Sequence, residues 1–447
     1  MSAAPTRDAY SWRIQGPVYG TAFFTGNLFP ISHVVVPLWA AVELEASLFM
    51  VGIIIASRQL LPVTMSIHGG ALLDRFGPRS VIMVLGVLGA CSTALVPFFP
   101  FIWATILFQI VIGFCETTNW IGVQSAVGTL MKGNAVYAGR MTASARTGGF
   151  FGPLLIGVAY ETGGPVGGFL CFGAWALCGA IGAMFLPRHD SAAQEAPSRS
   201  PTEAVSGDRV SLQADSPQAD SPQADSPQAD SPPTDRDHTG GERKDVLPSL
   251  SDYREAFRLL LIPAIALVIA ATFMRQTGSG MQASFYGVWL TELGYTAGAI
   301  GLLIGIGNAV SALAALCIGP LTRRIADYWL LILSVGAAII GVAATPLFSE
   351  WILLALAIGV RGAGQGLNLP LMMSIASRAV APRLQGRAAA LRISFNRFGG
   401  MLFPVIMGAL AELIGLEYAF YAIGGVGILL ISGLSFWVLR TRDQFAR

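Results

Sequence analysis

Charged residues are scarce in this sequence. Asp, Glu, Lys and Arg make up only 12% of its 447 residues, whereas hydrophobic residues make up 53%. A soluble protein of this length needs many more solvated groups on its surface, so the composition excludes a soluble globular chain. We expect lipid to cover most of the surface.

Several kinds of functional site are missing as well. The sequence has no Gly-Lys-Ser/Thr phosphate loop, so it is not expected to hydrolyse ATP. A net charge of only +2 indicates no nucleic-acid partner. All cysteines lie in apolar stretches, which argues against a disulfide framework or a paired metal motif. They are Cys91, Cys115, Cys171, Cys178 and Cys317. We therefore predict no enzyme, no metal site and no cofactor.

Twelve apolar stretches fill most of the chain. Each is long enough to cross about 30 Å of hydrocarbon, which takes about 20 residues. The predicted membrane helices are 17–39, 47–71, 80–97, 101–130, 142–160, 165–187, 259–290, 297–319, 328–346, 351–377, 390–411 and 418–439. No small-residue cleavage site follows the first stretch, so we predict a retained helix rather than a signal peptide. The sequence thus predicts an all-α polytopic membrane protein.

A polar insert divides the twelve stretches into six and six. We place an N-terminal half at 1–187, the insert at 188–251 and a C-terminal half at 252–447. The insert holds four copies of Gln-Ala-Asp-Ser-Pro between Gln213 and Pro232, and too few apolar residues to fold. We interpret it as a disordered tether between the halves, with a regulatory docking segment as the alternative.

Basic residues mark one side of the predicted membrane. The loops predicted on the other side contain no Lys or Arg, whereas the basic side carries Arg75, Arg79, Arg323 and Arg324 among others. By the positive-inside rule, both termini and the insert are cytoplasmic. We expect the protein in the inner (cytoplasmic) membrane.

An internal repeat relates the two halves. A shift of about 250 positions aligns residues in corresponding helices. The aligned pairs include Trp39 with Trp289, Gly52 with Gly301, Gly70 with Gly319, Arg146 with Arg397 and Pro153 with Pro404. Two such halves related by an axis along the membrane normal are typical of transporters that hold the substrate between them, near the middle of the membrane.

The loop between the second and third helices carries a specific motif. It reads Gly70-Ala-Leu-Leu-Asp74-Arg75-Phe-Gly77-Pro-Arg79. This run resembles the signature loop of the major facilitator superfamily, and with the twelve-helix plan the resemblance covers everything except the termini and the insert. It implies two six-helix halves, and transport by alternating access between them.

The resemblance also implies a conformational latch formed by the signature loop. Asp74 would contact the start of helix eleven, where Arg397 is one of several arginines that it could face. Arg146 and Arg397 are themselves expected near the cytoplasmic ends of their helices, with side chains that reach the interface.

A glycine-rich run in the fifth helix resembles the antiporter motif of this superfamily. It reads Gly148-Gly-Phe-Phe-Gly152-Pro153-Leu-Leu-Ile156-Gly157, with isoleucine where the motif usually has a glycine. Ordinary packing of small residues is the alternative. Helix four has Gln109 where proton-driven drug exporters commonly have a basic residue, which argues against a drug exporter.

Five ionisable residues lie deep in the predicted helices. They are Arg58, Glu116, Arg275, Arg361 and His33. A charge at the bilayer centre costs at least about 2.5–3.5 kcal/mol, so each should face a cavity or a partner. Arg58 is expected either to bind substrate or to pair with Glu116. Glu116 and His33 are the candidates for proton coupling.

Helical spacing places further polar residues beside these charges. Arg275, Gln282 and Tyr286 share one face of helix seven, and Arg361, Gln365 and Asn368 share one face of helix ten. Helix one is interrupted beside Asn27 and helix seven near Arg275, and paired breaks of this kind mark binding sites. The candidate substrate-binding residues are Arg275, Arg361, Arg58, Asn27, Gln282, Gln365, Asn368, Trp120 and Tyr286.

These features predict a secondary active transporter for a small organic anion, because arginine suits a carboxylate or phosphate group. Transport would be coupled to protons or to exchange of a counter-solute, and we expect a monomer in the lipid bilayer. One alternative is an efflux antiporter for amphipathic drugs or secreted metabolites. Another is a non-transporting receptor or scaffold that signals through the insert.

Overall fold

The computed structural model describes residues 11–131, 135–187, 257–380 and 384–441. Only the backbone is described at 66–71, 74, 128, 129, 135, 136, 385–387, 389 and 390. Every regular element within the described ranges is a helix, which confirms the predicted all-α fold. The predicted insert, with its four repeats, lies outside the described residues.

The N-terminal half contains six helical segments, α1 to α6. α1 consists of Trp12–Thr25, Leu28–Leu38 and a π-helical turn at Trp39–Glu43, and α2 of Leu48–Ser57 and 60–76. The others are α3 at 78–95, α4 at Ile102–Leu130, α5 at 135–163 and α6 at 165–184.

The C-terminal half repeats this plan as α7 to α12. α7 consists of Pro263–Met281, a π-helical turn at Gln282–Tyr286 and Gly287–Glu292, and α8 of Ala297–Leu316 and Ile318–Thr322. The others are α9 at Asp327–Ala343, α10 at Trp351–Ala379, α11 at Gln385–Ile414 and α12 at Leu416–Arg440. In the described part of the chain, nine helical stretches are long and apolar enough to cross a membrane, one of which contains both α5 and α6. This is consistent with twelve spans.

Two glycines turn the chain sharply between consecutive helices. Gly77 (φ 76°) separates α2 from α3, and Gly164 (φ 63°) separates α5 from α6. Positive φ is accessible to glycine at little cost, and the proline that follows each one is favoured in the first turn of the next helix. Gly77 belongs to the signature loop, so this loop turns tightly at its glycine.

The two ends of the helix bundle differ in charge. We call the end that carries Arg75, Arg79, Arg323 and Arg324 the basic end. The opposite end, called the acidic end, carries Glu43, Glu45, Glu161, Glu292 and Glu412. α2 and α8 run from the acidic to the basic end, and α5 and α11 run in the opposite direction.

The halves pack against each other through two equivalent glycine contacts. A Cβ on Gly52 of α2 would lie 2.3 Å from the carbonyl oxygen of Pro404 in α11, and one on Gly301 of α8 would lie 2.2 Å from that of Pro153 in α5. Only glycine permits such close approach of the backbones. The repeat aligns Gly52 with Gly301 and Pro404 with Pro153, so it relates one contact to the other.

The glycine run of α5 has a packing role as well. A Cβ on Gly157 would lie 2.4 Å from the carbonyl oxygen of Ala297 in α8, and one on Gly152 would lie 2.6 Å from Ile31 in α1. The alternative interpretation of the run, small-residue packing, therefore accounts for these glycines.

Hydrogen bonds also join the halves, from the acidic end to the middle of the helices. At the acidic end, Glu412 accepts from the backbone N–H of Phe49 at 3.0 Å, and Glu161 accepts from that of Gly298 at 3.2 Å. At the middle, Arg397 donates to Gln59 at 3.1 Å and Asn308 donates to the carbonyl of Gly149 at 2.9 Å. The two bonds at the acidic end are related by the repeat. At the middle only Gln59 and Asn308 correspond, because Arg397 aligns with Arg146 rather than with Gly149.

Alanine at Gly52 or Gly301 should destabilise the protein by about 1–3 kcal/mol, because the added methyl group overpacks a backbone contact between the halves. The measurement is the thermal unfolding midpoint of the protein in detergent. Gly425→Ala in α12 is the control, because a Cβ there has no neighbour within 4 Å. Equal midpoints for all three variants would contradict the assigned contact.

Candidate functional site

The candidate site lies between the halves, where α1 and α7 depart from regular helix. α1 is interrupted at Gly26 and Asn27, as the sequence predicts. α7 continues through the predicted break at Gly278 and Gly280 and changes instead at its π-helical turn, Gln282–Tyr286. π-Helical turns are frequent at functional sites. The irregular positions of both helices therefore indicate a site in the central region between the halves.

Arg361 of α10 is the central charged residue of this region. It is only 6% exposed, and its backbone lies against α9, where a Cβ on Gly341 would be 2.7 Å from the Arg361 nitrogen. Among the described residues no carboxylate pairs with its guanidinium. A buried guanidinium without such a partner requires a ligand or water.

Arg275 of α7 is held in place by α11. Its guanidinium donates a hydrogen bond to the side-chain oxygen of Asn396, and Gln276 donates to the Asn396 backbone carbonyl at 3.0 Å. Arg275 and Arg361 lie near enough to repel each other electrostatically, and Arg146 of α5 acts on both. Arg146 of the N-terminal half is therefore within electrostatic range of both arginines of the C-terminal half.

The predicted interfacial positions of Arg146 and Arg397 are wrong. α5 and α11 begin at 135 and 385 rather than at the predicted 142 and 390, so both arginines lie near the middle of their helices. Arg397 is turned toward Gln59 of α2. It is therefore not at the start of α11, where the latch with Asp74 was expected.

Uncharged polar groups also line this region. Tyr286 and Gln282, both in the π-helical turn, are 1% and 3% exposed. The hydroxyl of Tyr286 and the Nε2 of His33 are buried and have no hydrogen-bond partner among the described residues. Both side chains lie within electrostatic range of Arg361. Buried polar atoms are nearly always paired, so unpaired ones here indicate a place for ligand or water.

The predicted polar face of α10 is only partly directed to this region. Gln365 is half-buried one turn from Arg361. Asn368 is buried instead against α9, where it accepts a hydrogen bond from the Ser334 hydroxyl at 2.5 Å. Its Nδ2 has no hydrogen-bond partner among the described residues, so the predicted contact of Asn368 with substrate stays a prediction.

Arg58 and Glu116 form the ion pair that the sequence left as an alternative. Arg58 is 3% exposed and donates to one carboxylate oxygen of Glu116 through Nε at 3.0 Å and Nη2 at 2.6 Å. Its Nη1 donates to Gln109 at 2.7 Å. Gly113 makes room for this arrangement, because a Cβ there would lie 1.9 Å from the Arg58 carbonyl oxygen. A small cavity adjoins the pair and is lined partly by Asn119 and Cys115.

Asn27 and Trp120 belong to the packing of the N-terminal half. Asn27 accepts a hydrogen bond from Trp175 of α6 at 2.8 Å and donates to the carbonyl of Phe23. A Cβ on Gly26 would lie 2.8 Å from the Trp120 ring. The amide of Asn27 is thus occupied by other residues of its own half, which does not support its predicted role as a substrate contact.

The signature loop is described in part. Arg79 donates to the carbonyl of Leu186 at 3.1 Å, beyond the end of α6, and the exposed Arg75 lies 5.2 Å from the ring centre of Phe76. The surroundings of Gly70 and the side chain of Asp74 lie outside the described residues. The predicted contact of Asp74 with α11 stays a prediction.

Sequence reasoning missed four residues that position the charged groups and amides of the bundle interior. They are Asn396, Gln59, Trp175 and Ser334. The repeat gives a signal for Gln59 alone, because it aligns with Asn308 and both side chains bond across the halves. The other three are ordinary helix residues in the sequence, and only the helix packing brings them to their partners.

Comparisons with known proteins agree with this architecture. The sequence model described as Major Facilitator Superfamily matches residues 18–273 and 268–446. Two solved structures have a similar fold. One is a mutant of the nucleoside transporter NupG, with a TM-score of 0.73 and 13% identity over 94% of this chain and 98% of that chain. The other is NupG itself, with a TM-score of 0.70 and 12% identity over 97% of this chain and 99% of that chain.

A third similar structure is a bacterial homologue of the human lysosomal transporter Spinster in an inward-facing and occupied conformation. Its TM-score is 0.69, with 13% identity over 97% of this chain and 98% of that chain. A search of curated protein sequences gives no match. At these identities the likeness establishes the fold, whereas the sequence model covers most of the chain. The protein is therefore a multi-pass membrane protein that belongs to the major facilitator superfamily.

Proposed function

We propose that this member of the superfamily is a secondary active transporter for a small organic anion in the cytoplasmic membrane. The observation that carries the proposal is Arg361, a buried guanidinium for which the described residues provide no carboxylate. Arg275 adds a second positive charge, and Tyr286 an unpaired hydroxyl. A carboxylate or phosphate would satisfy all three groups at once.

The remaining parts of the proposal follow from topology and chemistry. The positive-inside rule places the basic end, both termini and the insert in the cytoplasm. Energy would come from a proton gradient or from exchange of a counter-solute, with Glu116 and His33 as candidate proton carriers. The exporter alternative is weaker, because the glycines of α5 that suggested it are occupied in helix packing.

Anions should raise the melting temperature of the detergent-purified protein, and Arg275→Gln should remove much of this rise. A ligand that binds the folded state stabilises it, more strongly the tighter it binds at a given concentration, and the variant lacks one anion-binding charge. The measurement is a thermal-shift assay with carboxylates, phosphate esters, and neutral or cationic amphiphiles.

Arg323→Gln is the matched control, because Arg323 is exposed at the basic end. It should respond to anions as the unmodified protein does. Stabilisation by cationic or neutral amphiphiles alone would overturn the anion proposal and favour the exporter.

A further inference from the structure

Arg146 has a different environment from its partner in the repeat, Arg397. Arg397 donates to Gln59 and lies within electrostatic range of Glu116. Arg146 has no hydrogen bond or ion pair among the described residues, and it lies within electrostatic range of Arg275 and Arg361. Arg397 is therefore bonded to a protein group, whereas Arg146 is available to a ligand.

Arg146 faces the C-terminal half. It shares one face of α5 with Gly149, Phe150 and Pro153, which follow it at spacings of three, four and seven residues. Those three residues contact α8 of the other half. Arg146 is the next position along this face toward the basic end, so its side chain enters the central region from the N-terminal half.

The positive charges around this region are not balanced by carboxylates among the described residues. Arg275 and Arg361 belong to the C-terminal half, and Arg392 of α11 adds a further charge near Arg275. Glu116 is the one carboxylate that the described structure places deep in the bundle, and it is paired with Arg58. A single carboxylate on a ligand would leave most of this charge uncompensated.

The charges are also divided between the halves. A compact group such as one phosphate can be bound by Arg275 and Arg361 of the C-terminal half alone, which leaves Arg146 without a partner. A ligand with an acidic group at each end can contact both halves at once. Two separated carboxylates therefore match the arrangement better than one compact anionic group.

We propose that the substrate is a small dicarboxylate, with one carboxylate held by Arg275 and Arg361 of the C-terminal half and the other by Arg146 of the N-terminal half. This rests on the proposed anion-transport function and specifies the substrate class of the same site. Arg146 then determines the preference for two acidic groups over one.

The test compares succinate with butyrate, which has the same number of carbons and one carboxylate, as ligands of the full-length protein in detergent. We expect succinate to bind at least about tenfold more tightly, since charge-assisted bonds to a second carboxylate are added. In Arg146→Gln this preference should disappear, because succinate binding falls to the level of butyrate while butyrate binding is unchanged. Affinities come from thermal shifts or calorimetry.

Arg140→Gln is the matched control, because Arg140 is an exposed arginine on the same helix, close to the basic end. It should keep the preference for succinate. Equal affinity for succinate and butyrate in the unmodified protein would overturn the dicarboxylate proposal and leave anion transport in place. Tighter binding of a phosphate monoester than of succinate would also overturn it. Binding of no anion at all would instead reject the proposed function.

Discussion

Arg361→Gln should strongly weaken anion binding and at the same time stabilise the ligand-free protein. The guanidinium is buried without a carboxylate, and a charge deep in the membrane costs at least about 2.5–3.5 kcal/mol, which the neutral glutamine avoids. A charge-assisted hydrogen bond to the ligand contributes about 1.5–3 kcal/mol, so its loss should weaken binding by about 10- to 100-fold. The measurements are the melting temperature without ligand and its rise with added anion.

The two readouts separate a binding role from a structural one. A structural arginine would lower the ligand-free melting temperature when it is replaced, whereas a ligand-binding arginine should raise it. Arg361→Lys keeps the charge but loses the planar fork, so it should retain the low stability of the native protein and bind anions weakly. A ligand-free protein that melts earlier after Arg361→Gln, with the anion response intact, would contradict the assigned role.

Removing one member of the Arg58–Glu116 pair should destabilise the protein strongly, by about 3–5 kcal/mol, because the other charge is left buried without its partner. Replacing both residues with glutamine should restore most of the stability. The measurement is a double-mutant cycle on the melting temperature with Arg58→Gln, Glu116→Gln and the double variant. Independent, additive effects of the two substitutions would contradict the pair.

The double variant also tests proton coupling. If Glu116 carries the proton, accumulation driven by a pH gradient should be lost in the double variant while exchange of substrate persists. The assay is uptake into liposomes with and without an imposed gradient. Normal gradient-driven accumulation in a stable double variant would assign Glu116 a structural role only.

The sequence predicted the fold well because the dominant forces in a membrane protein are local to each helix. Apolar length and turn glycines give the helix order, and the repeat gives the two halves. The starts of α5 and α11 were placed too late, because the residues there are small or polar and fall outside an apolar window. That error moved Arg146 and Arg397 away from the centre.

The candidate site was less predictable because it depends on pairs of residues from different helices. The spacing along α10 correctly groups Arg361 with Asn368 on one face, but it cannot reveal that Ser334 of α9 accommodates Asn368. In the same way, Asn27 lies beside the predicted break in α1, and only the position of Trp175 explains why its amide is occupied. The burial of Arg361 was predictable from its own helix, whereas the hydrogen-bond partners of Asn368 and Asn27 were not.

The two glutamates at the acidic end have a mechanical consequence for opening there. Each closes one side of the bundle by accepting a bond from the first turn of a helix in the opposite half, Glu161 from α8 and Glu412 from α2. The two bonds both join the halves at the acidic end, so separation of the halves there stretches both of them at once. Both must release together, so opening at this end should be all-or-none. Both glutamates are exposed, so water can hydrogen-bond to each carboxylate when its bond to the other half breaks. The contact between the halves can therefore form and break reversibly.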